Sequence, residues 1–379
     1  RESWAWMSGR FVPYPVQNNI RYLPKDQMWA CLEGIMAANL TPAGRPANFR
    51  EWILSRFGPG LSELFMLPYN FKVWAYPPEM MSHSWVGERV AVTDLKRVTR
   101  NILFDQDDLS WGPNQTFQFP KQGGTGAIWT RVADSLGEGR VRLGKTVSAI
   151  DTVRRIVRCS DGSTFAYEHL LSTLPVDGFT RLLEPAAPDL VALAGRLRYS
   201  SSHIVGLGLR GRPPEALRTK CWMYFPEGDC PFYRTTVFSN YSPNNVPDIT
   251  QYWSLMTETS ESAHKPVDAD GLVEETIAGC LRTGLIASRD DIVSVWTYRA
   301  GHGYPTPTVD RDEILGALLP ALQARGVFSR GRFGAWKYEV SNQDHSLMQG
   351  VEWANLAVLG VPETTVHYPE VVNGTWGRR

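Results

Sequence analysis

The spacing of apolar residues divides the chain into an early helical stretch and a later stretch rich in strands. Between about 20 and 110, apolar positions recur three or four residues apart, which is the period of an amphipathic helix. Asn48 followed by Glu51 has the form of a capping box and predicts a helix start. Pro68 is expected to stop the helix that begins at Ser62. The helices predicted here cover 28–36, the segment after 48, 62–67 and 94–103.

Alternation of apolar and polar positions predicts strands in the rest of the chain. Residues 3–14 are expected to form a hairpin, and the runs between 196 and 300 are rich in the Val, Tyr, Trp and Thr that strands favour. The strands predicted after the hairpin cover 141–143, 147–150, 155–158, 170–173, 203–209, 220–225, 233–241, 250–257 and 292–299. Further helices are predicted at 127–136, 271–282, 311–324 and from about 344. The fold class is therefore mixed, α/β with α+β character.

The composition limits the kinds of ligand or macromolecule that this protein is expected to bind. The 379 residues carry 39 Lys and Arg against 39 Asp and Glu, so the formal net charge is zero, and no basic field favours nucleic acid. No apolar run has membrane-spanning length. The five cysteines lack CxxC spacing, which argues for a reducing compartment. A cytoplasmic protein is expected, without a nucleic-acid partner, a membrane partner or a metal site; a homo-oligomer is compatible with the sequence.

Two phosphate-binding patterns occur by letter and lack the required context. Residues 139–146 fit the P-loop expression, but a predicted helix precedes them and a predicted strand follows. A P-loop needs the opposite order, because the helix N-terminus must face the phosphate. Residues 206–211 fit G-x-G-x-x-G, but Pro213 and Pro214 forbid the helix that would follow. Both segments are interpreted as ordinary turns and strands.

Two other segments are typical of a flavin-binding domain. The turn at 123–126, with Gly124, opens a predicted helix and leads to a strand ending at about 173, and small residues there permit close approach of a dinucleotide. A tight turn without a ligand is the alternative. Near the C-terminus, 342–346 opens an apolar helix, which Asp344 or Ser346 is expected to cap. The positive end of that helix would stabilise the anionic pyrimidine end of a reduced flavin.

Arg89 follows Trp85 in the segment 85–89, Arg234 lies among tyrosines in the segment 224–241, and a further tyrosine lies in 303–307. Guanidinium groups bind diphosphate through a planar fork, and tyrosine hydroxyls add neutral donors. In a chain of zero net charge, such clusters favour a small anionic ligand. The alternative for any single arginine is a surface ion pair.

At this point the residues match a family along essentially the whole chain, in order. Seven segments resemble UDP-galactopyranose mutases of fungal, eukaryotic type. They are Tyr14–Asn19, Leu64–Trp74, Gly112–Asn114, Cys221–Glu227, Phe238–Ser242, Gly303–Pro307 and Ser329–His345. The resemblance implies an isomerase that interconverts UDP-galactopyranose and UDP-galactofuranose. In that reaction N5 of reduced FAD attacks the anomeric carbon and displaces UDP, and the resulting flavin–sugar adduct lets the ring open and reclose.

The resemblance also implies domains and residue roles. The expected domains are an antiparallel sheet for substrate (1–19 and 190–310), a helical domain (20–115) and the remainder of an FAD-binding domain (116–189 and 311–379). The diphosphate-binding, catalytic arginines are expected to be Arg89 and Arg234. The other substrate residues are Tyr14, Gln17, Phe65, Asn70, Trp74, Asn114, Tyr224, Tyr241, Tyr304 and Tyr338. The FAD residues are Gly124, Arg332, Asn342, Gln343 and Ser346, and NADPH, the reductant, is expected to contact Arg1 and Ser3.

The chain departs from the family pattern in two places. The family begins with a βαβ unit bearing G-x-G-x-x-G, which would precede Arg1, so an incomplete flavin site is expected for this stretch. Lys337 stands where the family leads us to expect arginine. Two alternatives remain open: a flavin-dependent oxidase of the amine oxidase type, which would need an apolar substrate cage, and a non-catalytic nucleotide-sugar-binding fragment.

Overall fold

The structure is a computed structural model that describes residues 2–41, 44–109 and 118–372. Its strands are β1 (Glu2–Met7), β2 (Arg10–Pro13), β3 (Val147–Asp151), β4 (Ile156–Cys159), β5 (Thr164–Ala166), β6 (Leu170–Ser172), β7 (Leu183–Glu184), β8 (Arg198–Arg210), β9 (Lys220–Tyr224), β10 (Arg234–Val237), β11 (Tyr252–Glu261), β12 (Ile292–Thr306) and β13 (Val327–Ser329). Its helices are α1 (Lys25–Leu40), α2 (Phe49–Leu61), α3 (Leu67–Trp74), α4 (Leu95–Leu103), α5 (Gly126–Ser135), α6 (Val176–Phe179), α7 (Pro188–Ala194), α8 (Leu272–Arg282), α9 (Arg311–Gln323), α10 (Gln343–Leu359) and α11 (Pro369–Val372). The mixed α/β class is confirmed.

The chain divides into two compact units. The first comprises Arg1–Met80, Ala91–Ser135 and Ser200–Gly303, and the second comprises Met81–Val90, Leu136–Tyr199 and Tyr304–Arg379. The early helices and the large sheet therefore share the first unit, as does the turn at 123–126. The division into three domains stays a prediction.

A seven-stranded sheet forms the centre of the first unit, with strand order β12-β8-β11-β10-β9-β1-β2. Side chains alternate between the faces of a strand. One face of the sheet contributes Val205, Leu207, Met223 and Leu255 to a core that also contains Ile277 of α8. The opposite face presents polar and aromatic side chains, so this sheet buries one side and leaves the other for function.

The helices of the first unit pack closely because of glycine. Gly58 in α2 has φ 68°, and a Cβ there would collide with the backbone of Gly34 in α1.

The Asn48 side chain accepts a hydrogen bond from the Glu51 amide at 3.0 Å, and the Glu51 carboxylate accepts from the Ala47 amide at 2.8 Å. The predicted helix start and its Asn48 cap are therefore confirmed, but the Glu51 side chain accepts from Ala47, one residue before the cap, where a capping box has the N-cap amide.

The second unit contains a four-stranded sheet (β5-β4-β3-β7) and the parallel pair β13-β6. Helices α6, α7 and α9 contribute apolar residues to its core, for example Phe179, Leu190 and Leu318, and the same core contains the buried ring of Trp336. Arg89, Arg332 and the start of α10 all belong to this unit.

Pro68 does not stop the helix that begins at Ser62, contrary to the prediction. Residues Ser62–Met66 form a π-turn, in which the Leu67 amide donates to the Ser62 carbonyl, and α3 continues to Trp74. Pro68 occupies the first turn of α3, where the missing amide proton of proline costs little.

Three further predictions of secondary structure were wrong. Residues 141–143 form exposed turns because positive-φ glycines flank them at 139 and 144. Strand β10 ends at Val237, and the Asn240 amide group donates to the Lys220 carbonyl at 2.8 Å, which holds a 3₁₀ turn after the strand. Helix α10 begins at Gln343, and its N-cap is Asn342, whose side chain makes no capping hydrogen bond, so neither Asp344 nor Ser346 stands at the cap.

Neither letter-matched phosphate motif has the required context in the structure. Residues 139–146 lie in turns that precede β3, and 206–210 lie within β8. This confirms the interpretation from the sequence. Among the described residues, no helix combines the length and apolar character that crossing a bilayer requires. All five cysteines carry free thiols.

Candidate functional site

Arg234 lies on the polar face of the seven-stranded sheet. In the strand register it stands opposite Tyr224 of β9 and Glu258 of β11. Its Nε and one terminal nitrogen donate to the two Glu258 carboxylate oxygens, each at 2.7 Å. The Tyr233 hydroxyl donates to the same carboxylate at 2.8 Å. Arg234 is thus fixed in orientation by a bidentate pair, and much of its charge is neutralised.

Two aromatic rings that contact the predicted residues Arg234 and Tyr241 were not predicted by the sequence analysis. The Arg234 guanidinium carbon lies 5.4 Å from the ring centroid of Trp222, and Phe119 stacks on Tyr241 with 5.2 Å between centroids. Trp222 stands two residues before Tyr224 in β9, so strand alternation alone places both on one face. No sequence signal linked Phe119 to Tyr241.

A row of aromatic rings connects three of the predicted substrate residues in the first unit. Tyr14 packs on Tyr224 at 4.7 Å, Tyr224 on Tyr69 at 5.4 Å, and Tyr69 on Phe65 at 5.2 Å with an interplanar angle of 6°. Tyr69 was also missed, although it follows Phe65 by four residues and neighbours separated by four share a helix face. The predicted residues Tyr14, Tyr224 and Phe65 therefore lie in one row of rings, which Tyr69 completes.

Gln17, Asn70 and Trp74 are buried, with 1%, 8% and 2% of their surfaces exposed. The Gln17 amide donates to the Ala91 carbonyl at 2.9 Å, and the Asn70 amide donates to the Met66 carbonyl at 2.7 Å. In this structure these side chains support the surrounding helices. Their contact with a ligand stays a prediction.

Lys72 anchors the helix that carries Asn70 and Trp74. Its ammonium group donates to the carbonyl oxygens of Glu227 and Cys230 at 2.7 and 2.8 Å. Burial lowers the pKa of Lys72. Since these carbonyls belong to the turn between β9 and β10, Lys72 fixes α3 against the strands of Tyr224 and Arg234.

The remaining residues predicted for the first unit are scattered. Ser3 lies in β1 with 8% of its surface exposed, and its hydroxyl has no hydrogen-bond partner among the described residues. Gly124 lies in the turn before α5 with φ 61°. Arg1 and Asn114 fall outside the described residues.

Tyr338 is the centre of the cluster in the second unit. The Arg89 guanidinium carbon lies 4.8 Å from its ring centroid, and the rings of Trp85 and Tyr304 lie 5.5 and 5.8 Å away. Arg89 donates to the Glu339 carbonyl at 2.7 Å and has Oδ1 of Asn342 at 3.5 Å. Both of these acceptors are neutral, so they orient the guanidinium without cancelling its charge.

Arg332 joins this cluster, although the sequence assigned it to the cofactor. Its guanidinium carbon lies 4.9 Å from the Tyr304 ring and 5.8 Å from the Tyr338 ring. It also donates to the backbone and side-chain oxygens of Ser341, both at 3.3 Å. Two cations and two phenol rings therefore converge in the second unit, where an anion would find both charge and hydroxyl donors.

The N-terminus of α10 lies next to this cluster along the chain. Its predicted residues Asn342, Gln343 and Ser346 occupy the cap and the first turn, and the Ser346 amide donates to the Asn342 carbonyl at 2.9 Å. The Nδ1 atom of His345 is buried and has no hydrogen-bond partner among the described residues. Burial lowers the pKa of His345, and the nearby positive charge of Arg89 lowers it further, against the opposing effect of Asp344. His345 is therefore held in its neutral form beside a helix end.

Comparison with known proteins identifies the relatives of this fold. The family model described as flavin-containing amine oxidoreductase matches residues 37–315. A crystal structure of reduced UDP-galactopyranose mutase is 47% identical, with a TM-score of 0.95, over 99% of this chain and 80% of that chain.

More distant structures share only the fold. A CLA-producing fatty acid isomerase from P. acnes is 13% identical, with a TM-score of 0.55, over 92% of this chain and 79% of that one. A protein from Pyrococcus furiosus is 15% identical, with a TM-score of 0.52, over 88% of this chain and 78% of that one. The extent of the family match and the identity to the mutase show that this chain belongs to the flavin-containing amine oxidoreductase family, as a member of UDP-galactopyranose-mutase type.

Proposed function

We propose that this protein is a UDP-galactopyranose mutase of eukaryotic, fungal type, which interconverts UDP-galactopyranose and UDP-galactofuranose. The observation that carries the proposal is the cluster around Tyr338, where Arg89 and Arg332 lie 4.8 and 5.8 Å from the ring. A nucleotide sugar presents a diphosphate, which suits guanidinium and phenol donors. The 47% identical mutase supports the same assignment.

In this proposal the arginines and tyrosines act on the diphosphate. Arg89 and Arg234 bind it and stabilise the negative charge that develops as UDP leaves the anomeric carbon. The hydroxyls of Tyr241, Tyr304 and Tyr338 donate to its oxygens. Because the Glu339 carbonyl and the Asn342 amide oxygen that contact Arg89 are neutral acceptors, this residue keeps the larger share of its charge for the ligand.

The uracil and sugar are assigned to the remaining substrate residues. The aromatic row of Tyr14, Tyr224 and Phe65, extended by the additional Tyr69, offers flat apolar surface for a pyrimidine ring. Gln17, Asn70, Trp74 and Asn114 complete this set as proposals from the resemblance.

The residues of the second unit fit one end of a flavin. At the start of α10 the Asn342 side chain makes no capping hydrogen bond, His345 leaves a buried nitrogen without a partner among the described residues, and Arg332 adds a cation. Such a group suits the pyrimidine ring of an isoalloxazine, which carries negative charge when reduced. Arg332, Asn342, Gln343 and Ser346 would hold it there, and Gly124 is proposed for the same cofactor. Bound and reduced, FAD would supply a nucleophilic nitrogen that attacks the anomeric carbon.

The proposal includes NADPH as the electron source, contacting Arg1 and Ser3, and a cytoplasmic location. The family as a whole also contains oxidoreductases, as its description states. An amine oxidase activity is therefore the second candidate. It would require an apolar cage around a neutral amine, and a pair of arginines at Tyr338 does not suit such a substrate.

The test is turnover of UDP-galactofuranose. The protein is incubated with FAD, dithionite and UDP-galactofuranose, and UDP-galactopyranose is measured by anion-exchange chromatography beside an unreduced control. Product only in the reduced sample supports the mutase. Oxidation of amines without isomerisation would favour the second candidate, and nucleotide-sugar binding without FAD binding would indicate a non-catalytic fragment. Unchanged mutase activity in Arg234→Ala would reject the assigned role of that arginine.

A further inference from the structure

A buried ion pair lies directly behind the Tyr338 cluster. Arg311, at the start of α9, is 1% exposed, and Glu339 is 4% exposed. The two terminal nitrogens of Arg311 donate to the two Glu339 carboxylate oxygens at 2.7 and 2.8 Å. Desolvation of two full charges offsets most of the gain from such a pair, so its presence is weak evidence for stability alone.

The backbone of Glu339 connects this pair to the cluster. Its carbonyl oxygen accepts the 2.7 Å hydrogen bond from Arg89. Tyr338, whose ring lies under the Arg89 guanidinium, is the preceding residue in the same 3₁₀ turn. Any rotation of that turn would therefore move both the acceptor and the ring that orient Arg89.

The start of α9 also holds the segment that carries Arg89. Met81 forms a β-bridge with Thr308, and the Ser82 amide donates to the Pro307 carbonyl at 2.8 Å. Arg311 itself donates to Asp312 at 2.7 and 2.9 Å. The Asp312 carboxylate in turn accepts a hydrogen bond from the Ser84 hydroxyl at 3.3 Å, so the Arg311 side chain connects the segment of Arg89 with the 3₁₀ turn.

We propose that Arg311 and Glu339 are positioning residues, which hold Arg89 in the geometry that binds the diphosphate of the substrate. This inference rests on the proposed function, because it assigns the pair a role in binding the same ligand. An ion pair that only stabilised the fold could do so at a place in the unit without contact to the residues that orient Arg89.

The chain offers a matched control. Arg330 and Glu363 form a second buried bidentate pair in the same unit, with side chains 3% and 0% exposed. The Arg330 guanidinium of this control pair donates to Glu363 and to the Ser329 carbonyl, away from Arg89 and Tyr338 in the hydrogen-bond network of the described residues. Replacing either pair by two methionines removes both charges together, which avoids leaving one charge buried and unpaired.

The experiment measures displacement of a fluorescent UDP probe from the full chain. Arg311→Met/Glu339→Met is expected to raise the Kd for UDP about tenfold, the loss typical of a misaligned charge-assisted contact. The control Arg330→Met/Glu363→Met is expected to stay within about twofold of wild type, as for a pair not coupled to the ligand contacts. Both variants are compared at equal fractions folded, by thermal unfolding.

A second comparison tests whether the effect passes through Arg89. In an Arg89→Ala background, loss of the Arg311–Glu339 pair is expected to change the Kd for UDP by less than about twofold, because coupled residues are not additive. If the first variant does not fold, Glu339→Gln, which keeps the side-chain shape, serves instead, with an expected rise of about threefold for loss of charge from one hydrogen bond.

The outcomes separate the inference from the function on which it rests. Wild type that fails to bind UDP overturns both. In another outcome the wild type binds UDP while the two double variants lose equal affinity, or while the loss of affinity is undiminished in the Arg89→Ala background. Either result overturns only the positioning role. A selective loss that vanishes without Arg89 supports it.

Discussion

Arg234 and Arg89, the two arginines proposed for the diphosphate, are held in opposite ways. Arg234 in the first unit meets a carboxylate, with two hydrogen bonds of 2.7 Å to Glu258. Arg89 in the second unit meets a carbonyl oxygen at 2.7 Å and an amide oxygen at 3.5 Å. A carboxylate cancels charge as it orients a guanidinium, whereas a carbonyl orients it and leaves the charge available.

This difference indicates a division of labour. Arg234 is expected to contribute orientation, since its fork and the Trp222 ring fix its plane. Arg89 is expected to contribute most of the electrostatic stabilisation of departing UDP. The following variants test that division, from the largest expected effect to the smallest.

Arg89→Ala should have the largest effect. We expect kcat/KM for UDP-galactofuranose to fall about 10²- to 10³-fold, the cost of removing one preorganised donor at a developing oxyanion. Arg158→Ala, which removes an exposed arginine paired with Glu184 in the same unit, is the control and should leave turnover unchanged. Steady-state kinetics with reduced enzyme measures both. A loss smaller than that of Arg234→Ala would reverse the comparison.

Glu258→Gln should weaken both stability and turnover. It breaks the fork that holds Arg234 and leaves the Tyr233 hydroxyl with a poorer acceptor. Because Arg234 is 24% exposed, solvent screening reduces the cost, and we expect a loss of about 2 kcal/mol in unfolding free energy and about tenfold in kcat/KM.

Urea unfolding and kinetics together test the Glu258 prediction. Glu261→Gln, which disturbs a more exposed carboxylate paired with Arg299, is the matched control. If Glu258→Gln increased affinity for UDP, the carboxylate would be acting as a competitor for Arg234, and its orienting role would be rejected.

Tyr338→Phe should separate the hydroxyl from the ring. The ring contacts with Arg89 and Trp85 remain, so we expect folding to be preserved and kcat/KM to fall about three- to tenfold, the worth of one neutral hydrogen bond. Tyr199→Phe, whose ring packs on Trp336 in the same unit, should be neutral in the same assay. An unaffected Tyr338→Phe would mean that this residue acts only through its ring.

A pH effect should be the smallest. The folded pKa of His345 is lowered from 6.5, chiefly by burial, so below pH 6.5 the unfolded chain binds a proton that the folded chain does not. The stability that neutral His345 contributes is therefore present above pH 6.5 and decreases as the pH falls toward the pKa of the folded state. Urea unfolding at pH 7.5 and 5.5 should show a smaller loss in His345→Gln than in wild type. Equal losses would show that His345 does not titrate as proposed.

Much of the local structure could be predicted from the spacing of apolar residues and from the positions of capping and turn residues. The helix cap at Asn48 and the two-residue period of β9 carry their signals within a few residues. The failures lie where a nonlocal contact or an unusual turn decided the outcome. Pro68 continues a helix because a π-turn precedes it, and β10 ends early because Asn240 is bound by carbonyls about twenty residues back in the chain.

The candidate site divides in the same way. Resemblance named Arg89, Tyr304 and Tyr338, and the structure brings them together in one cluster. It could not name Glu258 or the Arg311–Glu339 pair, because no short motif marks a residue whose importance lies in what it holds. Trp222 and Tyr69 were accessible in principle from strand and helix periodicity.

The sequence by itself determined the period of each strand and helix, the neutral overall charge, and the presence of arginine beside tyrosine in several segments. These properties depend on residues near one another in the chain. Tertiary structure alone decided that Arg234 faces a carboxylate 24 residues away and that Arg89 donates to a carbonyl 250 residues away. Register and packing select such partners from many chemically similar ones, and that choice sets which arginine keeps its charge.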